Sequence, residues 1–193
     1  MEQTLIIPGK IAAALEQIND QTKTTELPWL KWAEGELGVK RAKSGDEPRI
    51  LEYWKIFKMG GIQNQRVSWC SAFIGAALES VGINSNSTPD VYKIRTKDSS
   101  QYWLHWTHGT KLEKPCYGCI GVMTRNGGGH VGFVIGEDLT NYILLGGNQG
   151  SAVSISKYPK SRFNGFIMPT GNWPKEQIPV YSGNDIPSDL STI

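Results

Sequence analysis

The chain has 193 residues, of which 39% are hydrophobic and 20% charged, and its formal net charge is +2. This length fits one compact domain with short extensions. The near balance of charge, with enough apolar residues for a core, excludes a disordered chain and a dedicated nucleic-acid-binding protein. The three cysteines, an odd number in a chain this long, argue against a scaffold held by disulfides.

The N-terminus and the apolar runs indicate where the chain is made. Glu2 and the Pro8-Gly9 pair stand where a signal peptide has a basic start and an apolar core. The longest apolar run, 11–15, is far shorter than the roughly 18 residues of a membrane-spanning helix. We therefore expect a chain made in the cytoplasm without a signal peptide and with no transmembrane segment.

The first half of the chain is predicted to be helical, because apolar residues recur there at helical spacing. Proline suits the first turn of 28–39 and of 48–59, and glycine follows the end of 48–59 and of 69–81. In the last segment the apolar stripe begins at Cys70, and Gly82 closes the helix. The predicted helices are 10–19, 28–39, 48–59 and 69–81.

The second half is predicted to form short strands separated by turns that contain glycine. Helices followed by a meander of strands predict an α+β fold in which N-terminal helices pack on a small antiparallel sheet. The predicted strands are 119–125, 130–136, 142–147, 152–157 and 165–168. The predicted organisation is an N-terminal extension with a short helix over 1–27, a catalytic domain over 28–170 and an irregular tail over 171–193.

Three residues are candidates for nucleophilic catalysis. Cys70 lies in the first turn of a helix, where the helix dipole and the N–H groups favour the thiolate. If Gly136 lies opposite Tyr142 in the β-hairpin, His130 faces Asn148 on the next strand, and the amide of Asn148 can orient the imidazole. The bare glycines beside this pair leave room for the helix end that carries Cys70. The alternative is that Cys70 is a small core residue and His130 a structural strand residue.

Six short motifs, in this order, carry a resemblance that covers roughly residues 28–168. They are PWL at 28–30, PRI at 48–50, SWCSAF at 68–73, YGCI at 117–120, GHVGF at 129–133 and LGGNQ at 145–149. Together they resemble the CHAP branch (cysteine, histidine-dependent amidohydrolases/peptidases) of the NlpC-type, papain-like cell-wall hydrolases. The resemblance implies a papain-like fold with a catalytic cysteine at a helix start, a histidine at a strand start and a third polar residue on the neighbouring strand.

The resemblance implies that the protein cleaves an amide bond of bacterial peptidoglycan. The roles of nucleophile, base and orienting residue fall on Cys70, His130 and Asn148, although many members of the wider group have an acidic third residue. The main-chain N–H of Cys70 or Ser71 is a candidate donor to the oxyanion. Further oxyanion or substrate-binding candidates are Gln65, Trp69 and Gly129. We expect no cofactor and no bound metal.

The expected setting also follows from the resemblance. We expect a monomer that acts at the bacterial cell wall or in the periplasm after release or secretion, with peptidoglycan as its substrate and no nucleic-acid partner. Both a phage-type lysin and a secreted antibacterial effector fit these features. An effector would have a tight inhibitor, an immunity protein, as its partner.

Four alternatives stay open at the level of sequence. His105, His108, Cys116 and Cys119 have the H-x2-H and C-x2-C spacing of a zinc site. Cys116 and Cys119 could instead form a local disulfide in an oxidising compartment. The same cysteine and histidine could transfer the acyl group to an amine, and the fold could also serve as a wall-binding module without catalysis.

Overall fold

A mixed architecture of helices and one antiparallel sheet confirms the α+β prediction. The computed structural model describes residues 26–44, 47–62, 64–87, 95–125 and 128–181. The predicted helix 10–19 and the tail beyond residue 181 lie outside these residues. No helix in the described ranges has the length and apolar character needed to span a membrane.

Within the described ranges, three α-helices precede the strands: α1 (Pro28–Gly35), α2 (Pro48–Ile56) and α3 (Cys70–Ser80). Proline occupies the first turn of α1 and α2, where its missing N–H costs no hydrogen bond. Both helices are shorter than predicted, and α3 begins within one residue of its predicted start. A 3₁₀ helix (Ser100–His105) follows α3.

The end of α1 shows why the predicted helix 28–39 is too long. Gly38 has φ +89°, which favours glycine and breaks the helix. The chain then pairs with the start of a strand: Gly38 N donates to Val153 O at 3.0 Å, and Val153 N donates to Val39 O at 2.7 Å. Main-chain pairing with a distant strand therefore outweighs the local helical pattern of residues 36–39.

Six strands form the sheet, in the order β1-β6-β2-β3-β4-β5. Their bounds are β1 (Gly109–Leu112), β2 (Ile120–Arg125), β3 (Gly128–Glu137), β4 (Asn141–Gln149), β5 (Ala152–Pro159) and β6 (Phe163–Pro169). All five predicted strands are present. Strand β1 was missed because its two central residues, Thr110 and Lys111, are exposed and leave no alternating apolar pattern.

The register of β3 against β4 agrees with the prediction only in the middle of the pair. Val134 lies opposite Leu144, as expected. A bulge then shifts the register by one residue, so that Gly136 lies opposite Ile143 rather than Tyr142. A second irregularity interrupts the pairing of β4 with β5 between Gly146 and Gln149. It is this second irregularity that decides the geometry of the candidate site.

The helices and the 3₁₀ helix share one large core with the sheet, and α3 lies against β3 and β4. Close packing of α3 on β4 depends on Gly147, where an added Cβ would lie 2.5 Å from Phe73 Cβ and 2.6 Å from a Trp69 ring carbon. A smaller cluster, formed by Met123, Leu144 and Tyr158, lies apart from this core. The start of α3 is thereby held over the end of β4.

The segment 171–181, predicted to be irregular, has little regular structure but packs against the domain. The ring of Trp173 meets that of Trp29 edge-on, with centroids 4.8 Å apart. Further along, Glu137 N donates to Pro179 O at 2.9 Å. Residue 170 is therefore not the boundary of the packed domain, because the chain remains in contact with it to the last described residues.

Candidate functional site

Cys70 lies in the first turn of α3, as the sequence predicted, and as the first residue of the helix it is only 3% exposed. The helix starts here because Trp69 O accepts from Phe73 N at 3.0 Å, while the Trp69 ring is wedged against Gly147. The first turn of a helix leaves its N–H groups without intrahelical acceptors and carries the positive end of the dipole. The local field at Cys70 therefore favours an anion.

Two side chains connect Cys70 to the end of β4. Ser68 Oγ lies 3.7 Å from Cys70 Sγ, within hydrogen-bonding distance for sulfur. Asn148 Nδ2 donates to the same Ser68 Oγ at 3.2 Å. Asn148, 80 residues from Ser68 in sequence, thus reaches the thiol through a serine hydroxyl that the sequence prediction did not include.

Gln149, not Asn148, is the side chain that contacts the imidazole of His130. The distance from His130 Nε2 to Gln149 Oε1 is 3.2 Å. Asn148 has φ +61°, a left-handed conformation that belongs to the bulge after Gly146. The extra residue of a bulge changes which side chains share a face, so the predicted pair of His130 with Asn148 is replaced by the next residue along.

The orientation of the Gln149 amide determines which ring nitrogen of His130 carries the proton. Gln149 Nε2 donates to Leu144 O at 3.3 Å and also to Ser154 O. These carbonyl partners require the amide nitrogen, so the amide oxygen must face the imidazole. An oxygen accepts only from a protonated ring nitrogen, and neutral His130 therefore carries its proton on Nε2 and has a basic Nδ1.

His130 is buried on the face of the sheet that carries the small apolar cluster. It is 2% exposed, lies opposite Met123 in the register, and its ring centroid is 5.3 Å from that of Tyr158. Its strand neighbours Val131 and Phe133 alternate to the other face, in the large core. The imidazole thus sits near the start of β3, at the same end of the sheet as the end of β4 and the start of α3.

Gln65 and Ser71 are placed differently from the sequence prediction. Gln65 Oε1 accepts from Ala42 N at 3.0 Å and from Glu47 N at 3.1 Å, so the side chain holds the segment before α2. Ser71 Oγ donates to Lys97 O and accepts from an indole N–H of the 3₁₀ helix. Both side chains hold groups of the fold, and the role predicted for the main-chain N–H of Ser71 stays a prediction.

Lys97 reinforces the packing behind Ser71. Its Nζ donates to Phe57 O at 2.7 Å and to Asn86 Oδ1 at 2.9 Å, and it lies 4.2 Å from the centre of the Phe57 ring. Burial lowers the pKa of Lys97 to about 8, because removal from water disfavours the ammonium ion. This ammonium group ties the end of α2 to the segment that supports the start of α3.

Trp69 and Gly129 are also packing residues. Trp69 is fully buried and lies 6.0 Å from the ring of Tyr53, so it contributes to the core rather than to a cleft. At Gly129 an added Cβ would come within 2.3 Å of Ser100 Oγ, which shows how closely β3 approaches the 3₁₀ helix. This contact alone requires a glycine before His130, and a contact of Gly129 with substrate stays a prediction.

The structure does not support a zinc site at the paired histidines and cysteines. No metal-binding cluster of His, Cys, Asp or Glu occurs among the described residues, and these include all four candidates. His108 Nε2 is 3.3 Å from Asn84 Nδ2, and Cys116 Sγ is 3.9 Å from Met168 Sδ. His108 and Cys116 therefore have partners of other kinds.

The two cysteines of the C-x2-C pair are reduced thiols with different environments. None of the three cysteines, all in described ranges, is in a disulfide. A hydrogen bond with Cys119 lowers the pKa of Cys116, against the opposing effect of burial. Burial raises the pKa of Cys119. Cys119 N donates to Cys116 O at 3.1 Å, so the pair closes a turn at the entry to β2.

Two site residues, Ser68 and Gln149, were missed by the sequence analysis although both lie inside quoted motifs. The Gly146-Gly147 pair was a usable signal, because glycines inside a strand often mark a bulge. A bulge would have made Asn148 and Gln149 equal candidates for the contact with His130. No comparable signal marks Ser68, whose partner lies 80 residues away.

Comparison with protein-family models gave no match for this chain, and a search of curated proteins gave none either. The candidate chemistry of this site therefore depends on its own side chains. A thiol at a helix start and an imidazole whose Nε2 proton is held by an amide oxygen are the components of thiol-based acyl transfer. The start of α3 and the end of β4 bring these components to one end of the sheet.

Proposed function

We propose that the protein is a cysteine amidohydrolase or peptidase with a papain-like arrangement of Cys70, His130 and Gln149. The observation that carries this proposal is the hydrogen bond between His130 Nε2 and Gln149 Oε1. The preceding residue, Asn148, contacts Ser68, whose hydroxyl lies near the sulfur of Cys70. The bond to Gln149 supports the assignment because it leaves Nδ1 as the basic nitrogen of a fixed imidazole.

His130 and α3 lie on opposite faces of the sheet, so the proposed mechanism requires Nδ1 of His130 to reach Cys70 past the end of the sheet. There it takes the proton of Cys70, and the thiolate attacks the carbonyl carbon of an amide. Main-chain N–H groups in the first turn of α3 donate to the oxyanion. His130 then returns the proton to the leaving amine, and water hydrolyses the thioester with His130 as the base. Gln149 stabilises the imidazolium only as a neutral acceptor, so the dipole of α3 contributes more to the ion pair.

Peptidoglycan is the substrate that we propose, with action at the bacterial wall or in the periplasm. The support is the resemblance to CHAP and NlpC-type hydrolases, whose motifs SWC, GHV and NQ in this chain supply the contacts described above. An immunity protein that covers the site is the proposed partner if the protein is an effector.

The test is digestion of purified sacculi by the wild-type protein and by Cys70→Ala, followed by mass spectrometry of the released muropeptides. We expect the wild type to release fragments that have gained one water at an amide bond, and the variant to lose at least about 10³-fold in rate. Cys116→Ala is the matched control, because it removes another buried thiol and should keep the activity. Equal digestion by wild type and Cys70→Ala would overturn the proposal. Products that join an acyl group to an amine would identify a transferase.

A further inference from the structure

Ser68 has an unusual position between an exposed surface and a buried thiol. The residue itself is exposed, whereas Cys70, two positions later, is buried. Its hydroxyl has two partners, Cys70 Sγ at 3.7 Å and Asn148 Nδ2 at 3.2 Å. The hydroxyl therefore links the buried sulfur to a side chain at the end of β4.

The direction of these two hydrogen bonds follows from the chemistry of the groups. The amide nitrogen of Asn148 can only donate, so it uses an acceptor site of the Ser68 oxygen. The hydroxyl proton is then available for the sulfur. When Cys70 is a neutral thiol this contact is weak in either direction, but a thiolate only accepts, and a hydroxyl that donates to an anion forms a stronger, charge-assisted bond.

The bond therefore stabilises one protonation state of Cys70 more than the other. Asn148 contributes indirectly, because its left-handed conformation in the bulge points the amide at Ser68 and fixes the hydroxyl. Ser68 and Asn148 come from elements that are far apart in sequence, so the arrangement exists only when α3 is packed on β4.

We propose that Ser68 is a positioning residue whose hydroxyl, held by Asn148, donates to the thiolate of Cys70 and keeps the nucleophile charged. This inference rests on the proposed function for its role in catalysis. The hydrogen bond itself can be tested without any substrate. It also gives Asn148 a task different from the one that the sequence predicted, since Asn148 acts on the thiol rather than on the imidazole.

The experiment measures the rate at which iodoacetamide alkylates Cys70 in the folded protein as a function of pH. Tryptic peptides 67–93 and 112–125 separate Cys70 from the other two cysteines by mass. The variants are Ser68→Ala, which removes the hydroxyl, and Ser68→Thr, which keeps it. Asn148→Gly removes the amide at a position whose positive φ suits glycine.

We expect Ser68→Ala to move the midpoint of the profile upward by about 1 pH unit, a tenfold change in the thiolate equilibrium. Ser68→Thr should retain the wild-type midpoint, and Asn148→Gly should give a smaller upward shift. Repeating the series in a His130→Gln background separates the ionisation of His130, the titratable group on β3 at this end of the sheet, from that of Cys70.

An unchanged midpoint in Ser68→Ala, with the thermal unfolding of the variant like that of the wild type, would overturn the inference. An equal shift in Ser68→Thr would overturn it as well, because that variant keeps the hydroxyl. The shift would then come from changed packing and not from the loss of a hydrogen bond. Neither result bears on hydrolysis, which the Cys70→Ala digestion tests separately. Conversely, a shift in Ser68→Ala would support the hydrogen bond even if sacculi were not cleaved.

Discussion

The two ends of the β3–β4 pair use polar side chains in opposite ways. At the hairpin end, Asp138 accepts from Thr140 N at 2.9 Å and from Asn141 N at 2.7 Å, all within three residues. At the other end, Gln149 contacts His130 across 19 residues of chain, and Asn148 contacts Ser68 across 80 residues. The first set of bonds closes a turn, and the second set joins separate elements.

Burial separates the two ends as clearly as sequence distance does. The hairpin carries Leu139 at its tip, 92% exposed, whereas His130 and Gln149 are 2% and 4% exposed. A polar group in water can exchange partners at little cost, but a buried one must keep its hydrogen bonds. The buried amide and imidazole at this end therefore have to keep their hydrogen bonds, whereas the polar groups of the hairpin can exchange theirs with water.

The largest effect should come from Gly147→Ala, which tests whether the end of β4 near α3 contributes more to stability than the hairpin end. The new Cβ would lie 2.5 Å from Phe73 Cβ and 2.6 Å from Trp69, and neither atom can move without shifting α3. We expect a loss of about 3 kcal/mol in the free energy of unfolding, measured with urea.

Gly136→Ala is the control at the hairpin end. Its Cβ would meet the ring edge of Tyr181 at 2.5 Å, and this ring lies on the irregular segment 171–181 and can give way. We expect a smaller loss there. Equal losses at Gly136 and Gly147 would contradict the idea that α3 depends on one close approach.

The next effect concerns activity and tests which carboxamide serves His130. Gln149→Ala removes the acceptor of the Nε2 proton and frees the imidazole to rotate, so we expect kcat/KM on sacculi to fall about 100-fold. Asn148→Ala should lower it by about tenfold or less, since it acts only through Ser68. A larger loss of kcat/KM in Asn148→Ala than in Gln149→Ala would instead support the His130–Asn148 pair that was predicted from sequence.

The smallest effect is at Asp138, where a local turn should affect stability and leave activity unchanged. Asp138→Ala should cost about 1 kcal/mol of unfolding free energy at neutral pH, with no change in sacculus digestion. Asp138→Asn, which keeps an acceptor, should cost less. A loss of activity in either variant would show that the two ends are coupled.

The pH dependence of this loss has a defined sign. Burial raises the pKa of Asp138, but hydrogen bonds from Thr140, Asn141 and Lys157 outweigh it and lower the pKa below its usual value. A carboxyl whose pKa is lower in the folded state contributes stability above its unfolded pKa, and this contribution disappears as the pH falls through the folded pKa. Urea unfolding of the wild type and Asp138→Ala should therefore differ at neutral pH and converge in acid.

Local pattern was sufficient for the elements that carry the candidate site. The apolar stripe from Cys70 and the glycine after Val81 placed α3, and the alternation around Val134 placed β3 and β4 in register at their centre. Where the prediction was wrong, a contact with a distant element was responsible. Residues 36–39 left the predicted helix because they pair with the start of β5.

The same distinction applies to the individual side chains. Gln65, Ser71 and Trp69 lie close to Cys70 in sequence and were predicted to bind substrate, but their contacts are to the segment before α2, to Lys97 and to Gly147. Nearness in sequence to a nucleophile says little about the direction of a side chain. That direction depends on which neighbour the tertiary fold brings to it.

By itself, the sequence determined that Cys70 lies in the first turn of a buried helix and that His130 lies near the start of a strand, because both follow from residue spacing. Only the tertiary structure decided that Gln149 reaches His130 while Asn148 turns to Ser68. The physical reason is the bulge after Gly146: one extra residue in a strand exchanges the faces of the side chains that follow it. Whether a strand accommodates that residue depends on what packs beside it, here α3 against Gly147.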